Sequence, residues 1–532
     1  MRGTGPYRAG TDADSTREFG LSVGSVCRIL LVTNTNPAEA IILSNGLEQS
    51  VASIAGDPEN IPNASMSRKV SHTSFPILIV AHVCGTLAAQ LHKTSGGIKR
   101  GMSTRGALFE VSRNRCRLLI GLCCLGVSGL WSPAAAMAER TFVVMVFDGF
   151  APVYIENFPT PAFDQMAQEG AVAGAMDQAF PTVSLSGGVT LSTGCWPENH
   201  GVMSNLFLDP ERGLYDHASD ADWLLGCEHL HEAAERQGVE TAALGWYGRY
   251  SSTRGALDSA GPAGETAYVD FPDDPGRLAQ LVDLIERSPE DRPRLILAYF
   301  KGPDSAGHRY GLEAEETRAA VMAADTIVGS VLASIDAQPD GAEIQLLVTT
   351  DHGMVPVETL VNIQRILRRH EIPARAVSAG TSSFLYFDDP SEEVISDAIR
   401  KLSVYEAFDV VRPGEQPEQW HLGTGPRVGD LILSAHPPYF IEDADAWPVW
   451  VRWLAWIGPD YLPSSALLSA THGYPTGTPG VEGILFARGD AFAPGRLVDR
   501  VRAVDVHPTV LAVLGLEPGQ PVDGEVEGRL LR

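Results

Sequence analysis

The chain has 532 residues, 44% hydrophobic and 20% charged, a balance that excludes a disordered polymer and calls for one large α/β domain with insertions or for two domains. Its formal net charge of −26 is unevenly placed: residues 1–136 hold 13 Lys+Arg against 8 Asp+Glu, the remainder 27 against 58. So acidic a body repels a phosphate backbone and excludes a groove that tracks nucleic-acid polymer, while a small anionic substrate stays compatible if bound cations reverse the local field.

Residues 1–101 show no sustained periodicity, and the expectation is a misassigned or disordered upstream segment, with the true start at Met102. In "RNRCRLLIGLCCLGVSGLWSPAAAMA", Arg113, Arg115 and Arg117 precede an apolar run from Leu118 to Trp131, and Pro133 and three alanines follow. Basic, apolar and small-residue regions in that order make a secretory signal peptide, and the run is shorter than the ~20 residues of a spanning helix. Residues 102–136 are therefore expected to be cleaved, giving a periplasmic or secreted protein; an uncleaved amphipathic anchor is the alternative. Five of the seven cysteines fall upstream of residue 137, which leaves Cys195 and Cys227, whose pairing the sequence does not decide.

From residue 141 the pattern becomes regular. "TFVVMVFDGF" is a continuous apolar run closed by Asp148, and "TPAFDQMAQEGA" reads as a helix. Next comes "AFPTVSLSGGVTLSTGCWPENHG", with Thr182, Ser184, Ser186, Thr190, Ser192 and Thr193 crowded around Gly187 and Gly188. Such a run is usually a loop, but it also offers candidate nucleophiles, Ser184 and Ser186 among them. "RLILAYFKGPDSAGH" repeats the strand-to-acid plan with Asp304, "EETRAAVMAADTIVGSVLASI" reads as a helix, and "AEIQLLVTTDHGM" ends a third run on Asp351 and His352. "GILFARG" is a late fourth strand. Alternating buried strands and helices predict a doubly wound, mostly parallel sheet, whose ligand crevice lies beyond the carboxyl ends of the strands.

Three carboxylates delivered to that edge need compensating cations. Asp304 and His308, four apart, share one helical face, and His472 sits in the Gly-flanked turn "SATHGYPTG". Carboxylate and imidazole donors without thiolates suit zinc or another divalent ion. The donors fall into two clusters, and a metal pair roughly 4 Å apart would clamp the attacking and leaving oxygens of an in-line displacement and activate a bound hydroxyl.

Between His352 and His472 lie more residues than a sheet connection needs. Residues 355–470 are expected to form a small inserted α/β cap, with "TSSFLYFDDPSEEVISDAIRKLS" reading strand then helix and "RVGDLILSAHPPYFI" as a strand pair. The catalytic domain is then 137–354 with 471–532. Within the cap, Trp447, Trp450, Trp453 and Trp456 of "WPVWVRWLAWIG" step by ~300° and spread over about half of a helix. Packing beneath the cap is the expectation, contact with a membrane surface its alternative.

"VFDGF", "PTVSLSGGVTLSTGCWPENHGVMSN", "PDSAGHRYG", "TTDHGM" and "THGYP", in this order, resemble the nucleotide pyrophosphatase/phosphodiesterase branch of the alkaline phosphatase superfamily over about residues 141–525. The resemblance implies an alkaline-phosphatase-like fold and two Zn2+, one held by Asp148, Ser184, Asp351 and His352, the other by Asp304, His308 and His472. It selects Ser184, three residues after Pro181, as the nucleophile, with Ser186 the competitor, and implies a phospho-Ser184 intermediate in the hydrolysis of a small phosphate ester. Leu185 and Asn205 fall at substrate-pocket positions of the family, with ordinary packing as the other reading. Two departures stand out: Gly187 replaces an Asn that donates to the transferred phosphoryl group, and Tyr247 and Arg249 alter the "WPG" stretch. No Arg neighbours Ser184, so a diester or pyrophosphate is favoured over a monoester. The alternatives are a phosphomonoesterase or phosphonate hydrolase of the same superfamily and, in a different class, a catalytically inactive protein that binds phosphate ligands.

Overall fold

The apolar run that begins at residue 141 forms the middle of a nine-stranded sheet. The computed structural model describes residues 140–215, 223–247, 257–258, 273–441, 457–464 and 468–532. The expected upstream segment and signal peptide, Arg249 and the Trp447–Trp456 stretch lie outside these residues.

The strands of the sheet are β1 (Thr141–Phe147), β2 (Ala171–Asp177), β3 (Thr241–Leu244), β4 (Leu257–Asp258), β5 (Leu295–Phe300) and β6 (Ile344–Thr349). The helices that flank them in this part of the chain are α1 (Pro161–Glu169), α2 (Ser184–Thr193), α3 (Leu230–Arg236), α4 (Asp274–Ile285), α5 (Asp304–Tyr310) and α6 (Glu315–Asp336). Beyond β6 comes a separate four-stranded sheet built from β7 (Ala374–Ala379), β8 (Ser382–Phe387), β9 (Phe408–Val411) and β10 (Leu431–Ala435), with α7 (Glu392–Leu402) between β8 and β9. The chain then returns to the main sheet with β11 (Gly483–Arg488), β12 (Arg496–Val498) and β13 (Val501–Arg502), and α8 (Val506–Val513) follows.

The main sheet runs β12-β2-β11-β6-β1-β5-β3-β4, with β13 also paired to β2. β1 pairs in parallel with β5 and β6, β5 with β3, and β3 with β4, whereas β11 is antiparallel to both β6 and β2. All seven residues of β1 are buried, because helices cover both faces. The alternation of the strand sorts its side chains: Val143, Met145 and Phe147 join one core layer with α1, α4 and α6, while Phe142, Val144 and Val146 join the other with α3 and α8. α6 is long and apolar enough to cross a membrane, yet Val321, Val328 and Val331 are buried in the first of these layers.

The second sheet, ordered β7-β8-β10-β9, is antiparallel throughout and has a core of its own with Leu385, Ile395, Leu402, Phe408 and Leu433. Strand and helix occur where "TSSFLYFDDPSEEVISDAIRKLS" predicts them. The expected strand pair in "RVGDLILSAHPPYFI" forms differently. Leu431–Ala435 stays in this sheet, but Tyr439–Phe440 leaves it to pair in parallel with Thr359–Val361. Pro437 and Pro438, lying between, have no N–H to donate to a continuing ladder.

Candidate active site

Register brings the three acids level. Phe147 of β1 faces Phe300 of β5, and Val146 faces Thr349 of β6, so Asp148, Asp304 and Asp351 all emerge from the carboxyl edge of three adjacent parallel strands. The Asp148 N–H donates to the Phe300 carbonyl at 2.9 Å. Gly149 has φ +65, and a Cβ there would stand 2.8 Å from the Asp304 Cβ, so only glycine lets the Asp304 turn close on the end of β1. The Gly149 N–H donates to Asp351 Oδ1 at 3.2 Å, and the Phe150 N–H donates to Thr350 Oγ1 at 3.0 Å.

Ser184 is the first residue of α2, preceded by the extended Val183, so its hydroxyl sits at the positive end of the helix dipole. Ser184 Oγ lies 3.1 Å from His352 Nε2 and 3.5 Å from Asp148 Oδ1. Ser186 differs: it is fully buried and its Oγ has no hydrogen-bond partner among the described residues. Of the two candidate nucleophiles, Ser184 is the one that faces the acids.

The histidines are oriented by their outer nitrogens. Nδ1 of His308, His352 and His472 lies 2.9, 2.9 and 3.0 Å from the carbonyls of Ala470, Gly353 and Thr182. A carbonyl only accepts, so each Nδ1 carries the proton and each Nε2 faces the crevice. His308 and Asp304 share one face of α5, with Nε2 3.3 Å from Asp304 Oδ1, and His472 Nε2 is 3.9 Å from the same oxygen. His352 Nε2 is 3.2 Å from Asp148 Oδ1 and 3.9 Å from Asp351 Oδ1. The His352 ring also stacks on His472 with centroids 3.6 Å apart. Ligand atoms of Asp148, Asp351 and His352 lie within 4.8 Å of one another, as do those of Asp304, His352 and His472. His352 is thus common to two groups, where the resemblance assigns it to one; His308 joins through its contact with Asp304.

The electrostatics match a site built around positive charge. Burial, and then Asp304, hold the Asp148 carboxyl above its usual range. Burial, and then Asp148, push Asp351 up to about 7. Burial opposes charge on His352, but Asp351 and Asp148 outweigh it and push the imidazolium up to about 10. Burial would raise Asp304 too, yet His308 and then His472 hold it well below the carboxylate range. Asp304 Oδ1 is buried and accepts no hydrogen bond of good geometry among the described residues, although two imidazole nitrogens face it. Carboxylates and imidazoles converge here, and their crowded negative charge is met only by protons that a divalent cation would replace, so these residues fit a metal centre.

The remaining expected site residues lie on the same helix or beside it. The Leu185 N–H donates to Asn205 Oδ1 at 2.8 Å, which leaves the Asn205 amide nitrogen as its donor. Leu185 packs with Phe180, Phe384 and Trp420, side chains drawn from both sheets' surroundings. The Gly187 N–H is taken by the Val183 carbonyl at 2.8 Å, so it cannot stand in for the family Asn. A Cβ at Gly187 would lie 2.4 Å from the Asp351 carbonyl oxygen. Cys195 and Cys227 form a disulfide.

Three further residues reach the site that were not among the ligand and substrate-pocket residues expected, although Thr182 and Tyr247 stood in the stretches already singled out. Thr182 Oγ1 donates to the Tyr474 carbonyl and accepts the Gly473 N–H at 3.1 and 2.9 Å. The Tyr247 hydroxyl donates to Asp351 Oδ2 at 2.8 Å, and the Tyr299 hydroxyl to Asp148 Oδ2. A phenol inside the otherwise apolar run "LILAYF" is the one available signal for Tyr299, because a buried Tyr hydroxyl needs a partner.

The family model for type I phosphodiesterase / nucleotide pyrophosphatase matches residues 142–475. Ectonucleotide pyrophosphatase/phosphodiesterase family member 7 of Rattus norvegicus is 26% identical over 407 residues, covering 74% of this chain and 87% of the relative. Bis(5'-adenosyl)-triphosphatase of Xenopus laevis is 22% identical over 392 residues, covering 72% and 79%. Among solved structures, an inactive variant of murine ectonucleotide pyrophosphatase / phosphodiesterase 5 in complex with AMP superposes with a TM-score of 0.61 at 20% identity, covering 73% of this chain and 97% of that one. That likeness gives the alkaline-phosphatase-like fold.

Proposed function

The chain belongs to the type I phosphodiesterase / nucleotide pyrophosphatase family, a branch of the alkaline phosphatase superfamily, and from that premise we propose that it hydrolyses phosphodiester or pyrophosphate bonds of small nucleotide-type substrates through a phospho-Ser184 intermediate. The observation that carries this reading is the Ser184 hydroxyl at the head of α2, 3.1 Å from His352 Nε2 and beside Asp148.

Asp148, Asp351, His352 and Ser184 would hold one divalent ion, and Asp304, His308 and His472 a second, with zinc the expected metal. Bound ions supply Lewis acidity, easing ionisation of a hydroxyl and steadying negative charge on a departing oxygen. Ser184 Oγ gives up its proton and attacks phosphorus in line, the P–O bond to the leaving group breaks, the leaving oxygen takes up a proton, and phospho-Ser184 remains. Water then attacks the same phosphorus, the bond from phosphorus to Oγ breaks, a proton from the water restores the hydroxyl, and the phosphate product is released. The N-terminal end of α2 favours the anion that gathers there. Asn205, its carbonyl held by Leu185, offers its amide N–H groups to a phosphoryl oxygen, and Leu185 lies against the leaving portion.

Charge supports a diester. Among the described residues, the ion pairs of Asp148, Asp304 and Asp351 are all with histidines, so none of these carboxylates holds a guanidinium in place for the extra charge of a monoester. Residues 355–470 are proposed as the inserted cap that shapes substrate choice. The disulfide and the expected signal peptide support a periplasmic or secreted location. The test is turnover of bis-p-nitrophenyl phosphate, mono-p-nitrophenyl phosphate and a panel of dinucleoside polyphosphates and nucleotide sugars by the zinc-loaded protein. The diester and at least one nucleotide should be cleaved faster than the monoester; faster monoester cleavage would overturn the proposal.

A further inference from the structure

Two buried tyrosines meet two carboxylates in the same way. Tyr247, just after β3, and Tyr299, in β5, are 5% and 2% exposed. Their rings pack edge to face, with centroids 5.4 Å apart at 77°. Each hydroxyl donates to the Oδ2 of one acid, Tyr247 to Asp351 and Tyr299 to Asp148. In both acids the other oxygen, Oδ1, is the one nearest to His352 Nε2. Asp148 Oδ1 also meets Ser184.

The glycine pair of α2 belongs to the same arrangement. Helix propensity disfavours consecutive glycines in a helix interior. A Cβ at Gly188 would stand 2.0 Å from Tyr247 Cε1, and one at Gly187 2.4 Å from the Asp351 carbonyl oxygen. Without side chains at these two positions, the helix bearing Ser184 closes directly onto the phenol and onto the acid that the phenol holds. Tyr299 is braced from behind, its carbonyl accepting from the buried guanidinium of Arg277.

We infer that Tyr247 and Tyr299 are positioning residues that hold Asp351 and Asp148 with Oδ1 turned toward His352 and the crevice, a role that rests on the metal centre proposed above. A carboxylate whose outer oxygen is engaged by a phenol loses freedom to rotate, and it enters the site already oriented. Gly188 is the space that admits the Tyr247 ring.

The test compares zinc retention in wild type, Tyr247→Phe, Tyr299→Phe and Gly188→Ala, each loaded with zinc and equilibrated against graded chelator before metal analysis. Each phenylalanine keeps the ring and its packing, and should hold zinc about 10–100-fold less tightly. Gly188→Ala should reproduce the Tyr247→Phe loss by displacing the ring, although alanine favours the helix. Tyr386→Phe is the control: it loses a partly buried hydroxyl that donates to the Arg427 carbonyl, and its zinc retention should match wild type. The cobalt-loaded forms should show altered ligand-field spectra only in the first three variants. Unchanged retention and spectra in Tyr247→Phe and Tyr299→Phe overturn the inference and leave the metal-centre reading standing. A wild type that retains no divalent ion overturns both.

Discussion

His472 and Thr182, separated by 290 positions in the chain, are joined by a hydrogen bond in which the His472 Nδ1–H donates to the Thr182 carbonyl at 3.0 Å. The Thr182 side chain strengthens the joint through Gly473 and Tyr474. The loop that leads into α2 and the loop that carries the last candidate ligand are therefore tied to each other directly.

Thr182→Val removes both side-chain bonds at nearly constant volume and leaves the buried Gly473 N–H unmatched. The expected cost is about 1–3 kcal/mol, read as a lower urea midpoint at constant slope. A loss below about 0.5 kcal/mol would show that the joint does not need the hydroxyl.

Ser184→Ala should lower diester turnover by about 10⁴-fold or more while the fold stays intact. Ser186→Ala removes an unpartnered, fully buried hydroxyl and should leave turnover within a few-fold of wild type. The reverse ranking of the two variants would transfer the nucleophile to Ser186.

Stripping metal should abolish turnover and lower the melting temperature, and restoring zinc should reverse both. The physical reason is the crowding of Asp148, Asp304 and Asp351, whose mutual repulsion a cation relieves. Metal analysis of the restored protein should give two ions per chain. Full activity after exhaustive chelation would refute the metal-dependent chemistry.

A second group of histidines governs acid stability. His200, His229 and His231 are pushed down to about 3, mainly by burial and then by neighbouring His229 or His507. Burial takes His507 down to about 4, with Glu228 pulling the other way. His200 accepts the Val202 N–H at Nδ1 and meets Thr190 Oγ1 at Nε2, while His229 Nδ1 meets Ser192 Oγ, so two of them are wired to α2. In the unfolded chain these rings titrate near 6.5. Below that pH the unfolded state binds more protons at these four rings than the folded state, so their contribution to stability is complete above about 6.5 and is lost as pH drops toward about 3. Urea unfolding should show a loss of at least about 2 kcal/mol between pH 7.5 and 5, and four imidazoles should stay neutral by NMR in the folded protein at pH 5. A flat stability profile, or imidazoles that titrate near 6.5 in the native state, would contradict this.

What the sequence by itself determined is what depends on local pattern. Runs such as "TFVVMVF" and "IQLLVT" announce strands buried on both faces, and the acid that ends each run must emerge at one edge of a parallel sheet. The four-residue step from Asp304 to His308 likewise becomes one face of α5. The α/β class, the candidate ligands and the two competing serines all follow from such short-range regularities. Only the tertiary structure decided which serine faces the acids, because Ser184 and Ser186 differ in direction and not in local chemistry. It alone paired Cys195 with Cys227, sent Tyr439–Phe440 into a different sheet from Leu431–Ala435, and gave Gly187 and Gly188 a reason. The absence of a side chain has meaning only once Asp351 and Tyr247 occupy that space. Contacts such as Tyr247 to Asp351 and Thr182 to His472 join residues more than a hundred positions apart. No periodicity encodes them, since they arise from close packing of elements that the chain brings together only when the sheet has formed.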